Sequence, residues 1–211
     1  IDKNFSHFDT SPYYGYGLAE RDLGEVLKNN TDISVTTKVG LYAPGGSNQS
    51  FFKMALRKSM GKIFSSITKP VIDFTINEAN KSLEGSLKRL SRDSIDILLI
   101  HEPLVELIQT DEWQTWFDKL IRTGKIRYSG LSSILTSRLE KFIFNKKSLF
   151  NIIQTPDSID EMEADFLKKH NLPLQISFRY MYYAKKRFAG KSFSDIFNQT
   201  VARNPEGAII I

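Results

Sequence analysis

Cysteine is absent from the 211 residues of this sequence. Its absence excludes disulfide bonds, a cysteine nucleophile and thiolate metal sites, and we predict no metal site of another kind. Long apolar runs are also missing, since none approaches the roughly 18 residues that a membrane helix requires. The sequence opens without a signal-peptide pattern. We therefore expect a cytoplasmic protein with no membrane partner.

The sequence also lacks a concentrated block of one charge. Its 29 lysine and arginine residues exceed its 24 aspartate and glutamate residues and give a net charge of +5. The basic residues are scattered, and their densest groups stand at 146–147 and 185–187. Such groups are typical of solvated surfaces, so we expect no nucleic-acid partner. A weakly positive field would favour an anionic cofactor or substrate.

The remaining composition is that of a soluble globular protein, with 41% hydrophobic and 25% charged residues. A chain of this length is long enough for one well-buried domain and short for two. We therefore predict a single domain over residues 1–211.

Short β-branched runs alternate with amphipathic stretches along the chain. The predicted helix at 72–90 is the clearest, because Ala79, Leu83, Leu87 and Leu90 share one face at helical spacing. Gly124 fits the end of another helix. The predicted strands cover residues 4–9, 33–38, 95–101, 126–131, 151–154, 174–178 and 208–211. The predicted helices cover residues 18–28, 72–90, 111–122, 136–144, 160–170 and 192–202, and residues 41–70 are predicted to be irregular.

Strands separated by helices imply a parallel sheet, because parallel neighbours need crossover connections. Two architectures remain: a (β/α)8 TIM barrel and an open doubly wound sheet. The Gly-x-Gly-x-x-Gly fingerprint of a dinucleotide-binding doubly wound sheet is missing, and the nearest run, residues 14–17, lacks the third glycine. Polar residues at the C-terminal ends of predicted strands favour the barrel, whose active sites lie at that face.

We therefore predict an α/β fold of the (β/α)8 barrel type. The seven predicted strands are one fewer than such a barrel contains. We expect a barrel that lacks the first β–α unit and the final helix.

Four ionisable side chains stand at or just after the ends of predicted strands: Asp9, Tyr14, Lys38 and His101. Each has an ordinary alternative. Asp9 could cap a turn, Tyr14 could pack in a loop, Lys38 could extend along apolar surface, and His101 could be a core histidine with satisfied hydrogen bonds.

Together, the four residues suggest proton transfer to a carbonyl oxygen. An unperturbed tyrosine, with a pKa of about 10, is a poor proton donor at neutral pH. A neighbouring ammonium group favours the phenolate. We therefore predict that Asp9 holds Lys38 charged, that Lys38 acidifies Tyr14, and that His101 donates a hydrogen bond to the substrate oxygen.

Four motifs in order along residues 5–154 resemble those of the aldo-keto reductases. The run His-Phe-Asp-Thr-Ser-Pro-Tyr-Tyr-Gly at 7–15, followed by Glu20 and Leu23-Gly24, is similar to the first signature of that family. Thr37-Lys38 resembles its strand-end lysine. The other two motifs are Ser-Ile-Asp-Ile-Leu-Leu-Ile-His at 94–101 and Gly-Lys-Ile-Arg-Tyr-Ser-Gly-Leu-Ser-Ser at 124–133.

The resemblance implies that Tyr14 is the proton donor and that Lys38, His101 and Asp9 support it. It also implies that Ser132, Ser133 and Gln154 hydrogen-bond the carboxamide of a nicotinamide cofactor. Ser133 departs from the asparagine that is usual in the family, and Ser132 and Ser133 would also serve as a helix N-cap.

For the rest of the cofactor, the resemblance implies a pyrophosphate contact at Ser177 and an adenosine-phosphate site after the last strand. Lys186 or Arg187 is a weaker alternative for the phosphate. We expect NADP(H) rather than NAD(H) as the cofactor.

The predicted function is hydride transfer between a nicotinamide cofactor and an aldehyde, a ketone or a sugar hydroxyl. The form of the first motif resembles the branch of the family that acts on sugars, so the expected partner is a small carbonyl or sugar substrate. The alternative is a regulatory or scaffolding protein that keeps the fold with impaired catalysis. The sequence predicts no particular oligomeric state.

Overall fold

The structure is a computed structural model and describes residues 5–47, 49–50, 69–145, 149, 151–180, 190 and 192–210, with isolated positions 52, 55, 56 and 59. In these residues, no helix has both the length and the apolar character needed to cross a bilayer. The chain forms two compact units. The first comprises Ile1–His101 and Leu107–Ser129, and the second comprises Glu102–Glu106 and Gly130–Ile211.

The first unit is built on parallel strands connected by helices. Strand β1 pairs with β2, which in turn pairs with β5, and the short strands β3 and β4 form a separate antiparallel pair. Its strands are β1 (His7–Asp9), β2 (Ser34–Val39), β3 (Leu41–Tyr42), β4 (Val71–Ile72) and β5 (Ile95–His101). Its helices are α1 (Leu18–Leu27), α2 (Ile76–Leu90) and α3 (Thr110–Arg122).

The second unit continues the same alternation. Strand β6 pairs with β7, β7 with β8, and β8 with β9, and all three pairs are parallel. Its strands are β6 (Ile126–Ser132, which begins in the first unit), β7 (Ile152–Pro156), β8 (Ile176–Phe178) and β9 (Ala208–Ile210). Its helices are α4 (Thr136–Asn145), α5 (Phe166–Lys169) and α6 (Phe193–Arg203).

Apolar spacing explains how the helices of the first unit pack. The predicted stripe of α2 is buried. The strand β5 ends in the buried run Leu98, Leu99 and Ile100, as expected for a strand covered on both faces. Trp113 on α3 is fully buried, and its indole nitrogen donates to the carbonyl oxygen of Phe74 at 3.1 Å.

The alternation of parallel strands and helices is that of the predicted α/β class. Gly124 follows α3 with φ of +69°, as predicted for the residue after a helix C-terminus. Three predicted segments differ. The segment predicted to be irregular, 41–70, contains β3. The helix predicted at 72–90 begins only at Ile76, because Ile72 belongs to β4. The predicted helix at 160–170 is a 3₁₀ turn at Glu163–Asp165 followed by the single turn of α5.

The shorter helix has a local cause. Met162 has a φ of +51°, a left-handed backbone conformation that a continuous helix does not contain. Residues before and after Met162 form hydrogen bonds with each other instead. The Ser158 hydroxyl donates to the Glu163 carboxylate, and the Ala164 amide donates to Asp157 at 3.1 Å.

Candidate active site

A buried ion pair between Lys38 and Asp9 occupies the C-terminal edge of the sheet in the first unit. Lys38 Nζ lies 2.8 Å from Asp9 Oδ1 and 2.6 Å from Oδ2, and it donates a third hydrogen bond to the Thr10 carbonyl oxygen at 3.0 Å. Asp9 is paired with Thr36, two residues before Lys38. Residues two apart on a strand share a face, which explains why the two side chains meet.

Lys38 is only 1% exposed, so its charge depends on its partners. Burial lowers the pKa of Lys38 below its ordinary value, and the charge of Asp9 and its hydrogen bonds oppose this shift. A carboxylate in direct contact keeps a buried ammonium group charged. Asp9 therefore keeps the Lys38 ammonium group charged at this edge of the sheet.

Tyr14 stands beside this charge on the loop that follows β1. The loop turns tightly, because the Tyr14 amide donates to the Ser11 carbonyl oxygen at 3.0 Å and Gly15 and Tyr16 both have φ of +58°. The turn leaves Tyr14 38% exposed. Lys38 Nζ lies 5.1 Å from the centroid of its ring.

His101, the last residue of β5, contacts the same tyrosine. Its ring lies edge-on to the Tyr14 ring with 5.9 Å between centroids, and its Nδ1 is 3.4 Å from the Ser11 hydroxyl oxygen. Burial lowers the pKa of His101 to about 3, and the positive charge of Lys38 acts in the same direction. The imidazole is therefore neutral at physiological pH and can donate one hydrogen bond.

The structure thus brings the four predicted residues together in one unit. A phenol next to a fixed cation and a neutral imidazole next to the phenol are groups suited to protonating an oxygen atom. All four lie at the C-terminal ends of β1, β2 and β5 or on the loop after β1, as predicted for a barrel active site.

A second buried ion pair supports β2 from the helical side. The Thr37 hydroxyl donates to Glu20 Oε1 at 2.6 Å, and Arg89 Nε and Nη2 each lie 2.7 Å from Glu20 Oε2. Glu20 is fully buried. Glu20 belongs to the first family-like motif, and no partner for it was predicted from the sequence. The link joins α1 and α2 to the residue that precedes Lys38.

In the second unit, Ser132 and Gln154 form a polar pair. They are opposite each other in the register of β6 and β7, and the Ser132 hydroxyl donates to Gln154 Oε1 at 2.5 Å. Both residues are buried. A hydroxyl and an amide therefore stand together at the C-terminal end of the sheet in this unit.

Ser133 is held by Glu102, a residue that the sequence analysis did not identify. The Ser133 hydroxyl donates to Glu102 Oε2 at 2.7 Å and accepts from the Leu135 amide at 3.0 Å. The same carboxylate accepts from the Ile134 amide at 2.7 Å and from Arg138 at 2.9 Å. The Leu135 amide precedes α4, so this contact forms a turn before the helix and differs from the predicted N-cap, whose side chain accepts from an amide in the first helical turn.

Ser177 lies within the protein, fully buried on β8, where its hydroxyl accepts from Asn204 at 2.9 Å. Asp157 is also buried and binds Arg203 through both carboxylate oxygens, at 2.6 and 2.9 Å, and accepts from the Tyr180 hydroxyl at 2.5 Å. Burial raises the pKa of Tyr180, so its hydroxyl remains a donor. Lys186 and Arg187 lie outside the described residues.

Comparison with known proteins shows which family the chain resembles. Residues 1–155 match the model of the aldo/keto reductase family. The match includes all four residues of the first unit's polar site.

Two curated relatives share 32% identity with the chain. L-galactose dehydrogenase from Arabidopsis thaliana matches over 135 residues, which are 60% of this chain and 34% of the relative. 6-Dehydroglucose reductase from Agrobacterium fabrum matches over 137 residues, which are 63% of this chain and 40% of the relative. The matched part is less than half the length of each relative.

A solved structure agrees with the fold. The aldo-keto reductase from Klebsiella pneumoniae, solved in complex with NADPH, superposes with a TM-score of 0.58 at 22% identity, covering 96% of this chain and 62% of that one.

Proposed function

Because the chain belongs to the aldo-keto reductase family, we propose that it is an oxidoreductase that uses a nicotinamide cofactor to interconvert a carbonyl and an alcohol. The bound cofactor would supply the hydride. Tyr14 would give its hydroxyl proton to the carbonyl oxygen during reduction and take it back during oxidation. The observation that carries this proposal is the buried Lys38–Asp9 pair beside the Tyr14 ring.

Lys38 supports the proton transfer through its charge. As Tyr14 loses its proton, negative charge develops on the phenolic oxygen. A fixed ammonium group stabilises this charge most strongly where water is excluded, and Lys38 is almost completely buried. Asp9 is needed because an unpaired buried lysine would lose its proton instead.

His101 would orient the substrate. A neutral imidazole at the end of β5 donates one hydrogen bond without competing with Tyr14 as an acid. That donor would fix the carbonyl oxygen near the phenol and polarise the carbon–oxygen bond. The low pKa of His101 supports this division of roles.

Ser132 and Gln154 fit the carboxamide of a nicotinamide, because a hydroxyl and a side-chain amide offer complementary donors and acceptors. Ser133 remains a proposed carboxamide contact, and Glu102 holds the segment that carries it. Ser177 remains a proposed pyrophosphate contact. We propose NADP(H) rather than NAD(H), as in the NADPH complex of the Klebsiella pneumoniae reductase.

The proposed substrate is a sugar or a sugar-derived carbonyl. Two curated relatives of equal identity are named for reactions of galactose and of a dehydroglucose.

The proposal is tested by cofactor titration followed by turnover. Nicotinamide fluorescence should report NADPH binding, and NADPH oxidation should accelerate when a generic aldehyde or an aldose is added. Binding without turnover of any carbonyl would favour the regulatory alternative. No binding of NADPH or NADH at millimolar concentration would exclude the oxidoreductase assignment for this chain.

A further inference from the structure

Ser11 lies between the two groups that would face the substrate. It is fully buried on the loop between β1 and Tyr14. Its hydroxyl oxygen accepts a hydrogen bond from the Tyr13 amide at 3.2 Å and lies 3.4 Å from His101 Nδ1. Its carbonyl oxygen accepts from the Tyr14 amide at 3.0 Å. One residue therefore contacts both the tyrosine loop and the histidine.

The hydrogen-bonding capacity of Ser11 restricts the protonation of His101. A serine hydroxyl has one proton to donate and two lone pairs that accept. The Tyr13 amide occupies one of the lone pairs. In the described part of the chain, the acceptor that lies near the remaining hydroxyl proton is His101 Nδ1. A bond of 3.4 Å is long, and catalytic hydrogen bonds of this length in proteins without ligand often shorten when substrate binds.

We propose that Ser11 is a positioning residue, which donates to Nδ1 of His101 and thereby holds the imidazole as the tautomer with its proton on Nε2. The proposal deepens the proposed function, because Nε2–H is then the group that donates to the substrate oxygen. The tautomer of a histidine is set by the hydrogen bond that its other nitrogen makes.

The opposite tautomer would leave Ser11 in an unfavourable state. If Nδ1 carried the proton, the Ser11 oxygen would accept from both Tyr13 and His101. Its own proton would then be buried without an acceptor among the described residues, which costs free energy. The neutral state of the imidazole is consistent with this arrangement, because a neutral ring has one donor and one acceptor.

The first test is the ¹⁵N spectrum of the histidine rings in the parent protein without ligand. The chain has three histidines, and the His101 signals are assigned by their absence from a His101→Gln variant. We expect His101 to show a protonated Nε2 and an unprotonated Nδ1 at neutral pH. A majority of the Nδ1–H form would overturn the proposal.

The second test compares Ser11→Ala with Ser129→Ala, which removes another buried hydroxyl of the first unit. Ser11→Ala should shift His101 toward a mixture of tautomers and lower kcat/KM by about tenfold or more, the lower end of the effect of removing a partner from metal-ligating histidines. Ser129→Ala should change neither. An unchanged His101 spectrum in folded Ser11→Ala would overturn the proposal.

These outcomes are separate from the proposed activity. A parent protein with the Nε2–H tautomer but no turnover would contradict the proposed function and leave the role of Ser11 intact. A parent protein that reduces aldehydes but holds His101 as the Nδ1–H tautomer would support the proposed function and contradict the role of Ser11.

Discussion

Lys38 is a charged residue in the interior of the first unit, with only 1% of its surface exposed. A buried ammonium group is stable only with close partners, and Lys38 has both oxygens of Asp9 and the carbonyl of Thr10 within 3.0 Å. This position makes the pair sensitive to the loss of either charge. Stability and the proposed catalysis therefore depend on the same contact.

Replacing Asp9 with asparagine should destabilise the protein by about 3 to 5 kcal/mol, because the substitution leaves a buried charge without its counterion. Urea unfolding measures this loss as a lower midpoint. Asp22→Asn is the matched control, since Asp22 is exposed on α1. Equal midpoints for the two variants would contradict the account of the pair.

His101 should make stability depend on pH. Its folded pKa, about 3, lies below the ordinary value of 6.5, so the unfolded chain binds more protons between these values. Stability is then full above pH 6.5 and falls as the pH decreases toward 3. Between pH 7 and pH 4.5 the loss should be about 2 to 3 kcal/mol, since one pKa unit corresponds to about 1.4 kcal/mol.

The control for this pH dependence is His101→Gln, in which an amide that does not titrate replaces the imidazole. The difference in unfolding free energy between the parent and this variant should change across the interval by the amount stated above. A constant difference would show that His101 is not held neutral by burial.

The candidate residues themselves were accessible from the sequence, because polar groups at strand ends are visible in the motifs around Asp9, Lys38 and His101. Their partners were not. Ser11 and Glu102 act through contacts to residues 90 and 31 positions away along the chain, and no local pattern encodes such contacts. The same holds for the pair of Glu20 with Arg89, which are 69 positions apart.

At the level of elements, the loop that carries Tyr14 depends on Gly17, the residue before α1. Gly17 has a φ of +85°, and a Cβ atom there would stand 1.8 Å from the Ser47 carbonyl oxygen. Gly46 has a similar φ of +86° and no atom within 4 Å of such a Cβ. The two positions share the conformational requirement for glycine and differ in the available space.

Gly17→Ala should therefore be more destabilising than Gly46→Ala. Both variants strain the backbone by about 1 kcal/mol or more, but only Gly17→Ala forces the loop away from Ser47. We expect an additional loss of about 1 to 3 kcal/mol, the usual range for overpacking, measured by urea unfolding. The interpretation fails if the two variants lose the same stability.

Periodicity predicted most elements because burial determines them. The stripe on α2 and the apolar run of β5 lie in the core, where spacing and structure agree. The helix predicted at 160–170 failed because the left-handed Met162 and the bonds of Asp157 and Ser158 override the apolar spacing. The antiparallel pair of β3 and β4 joins residues about 30 positions apart, which no short window of sequence reveals.

For the whole molecule, the family assignment rests on residues 1–155, and the solved reductase agrees with the fold over 96% of the chain. The predicted barrel class is therefore confirmed. The polar site of the first unit was predicted from motifs within the matched region. The proposed pyrophosphate contact, Ser177, lies in the second unit, where its hydroxyl accepts from Asn204.

Cofactor binding should raise the melting temperature of the whole protein. A ligand at 100 times its Kd stabilises by about 2.7 kcal/mol, which corresponds to a rise of about 5 to 10 °C for a chain of this size. NADPH should give a larger rise than NADH at the same concentration. An equal or larger rise with NADH would contradict the preference for NADP(H).

The most direct test of the central claim is the turnover of Tyr14→Phe with NADPH and an aldehyde that the parent reduces. Loss of the phenolic proton should lower kcat by about 10²- to 10⁴-fold, the usual contribution of a general acid, without weakening NADPH binding. Tyr13→Phe, which alters the neighbouring ring 6.5 Å away, should keep the parent rate. If Tyr14→Phe reduces the aldehyde as fast as the parent, Tyr14 is not the proton donor.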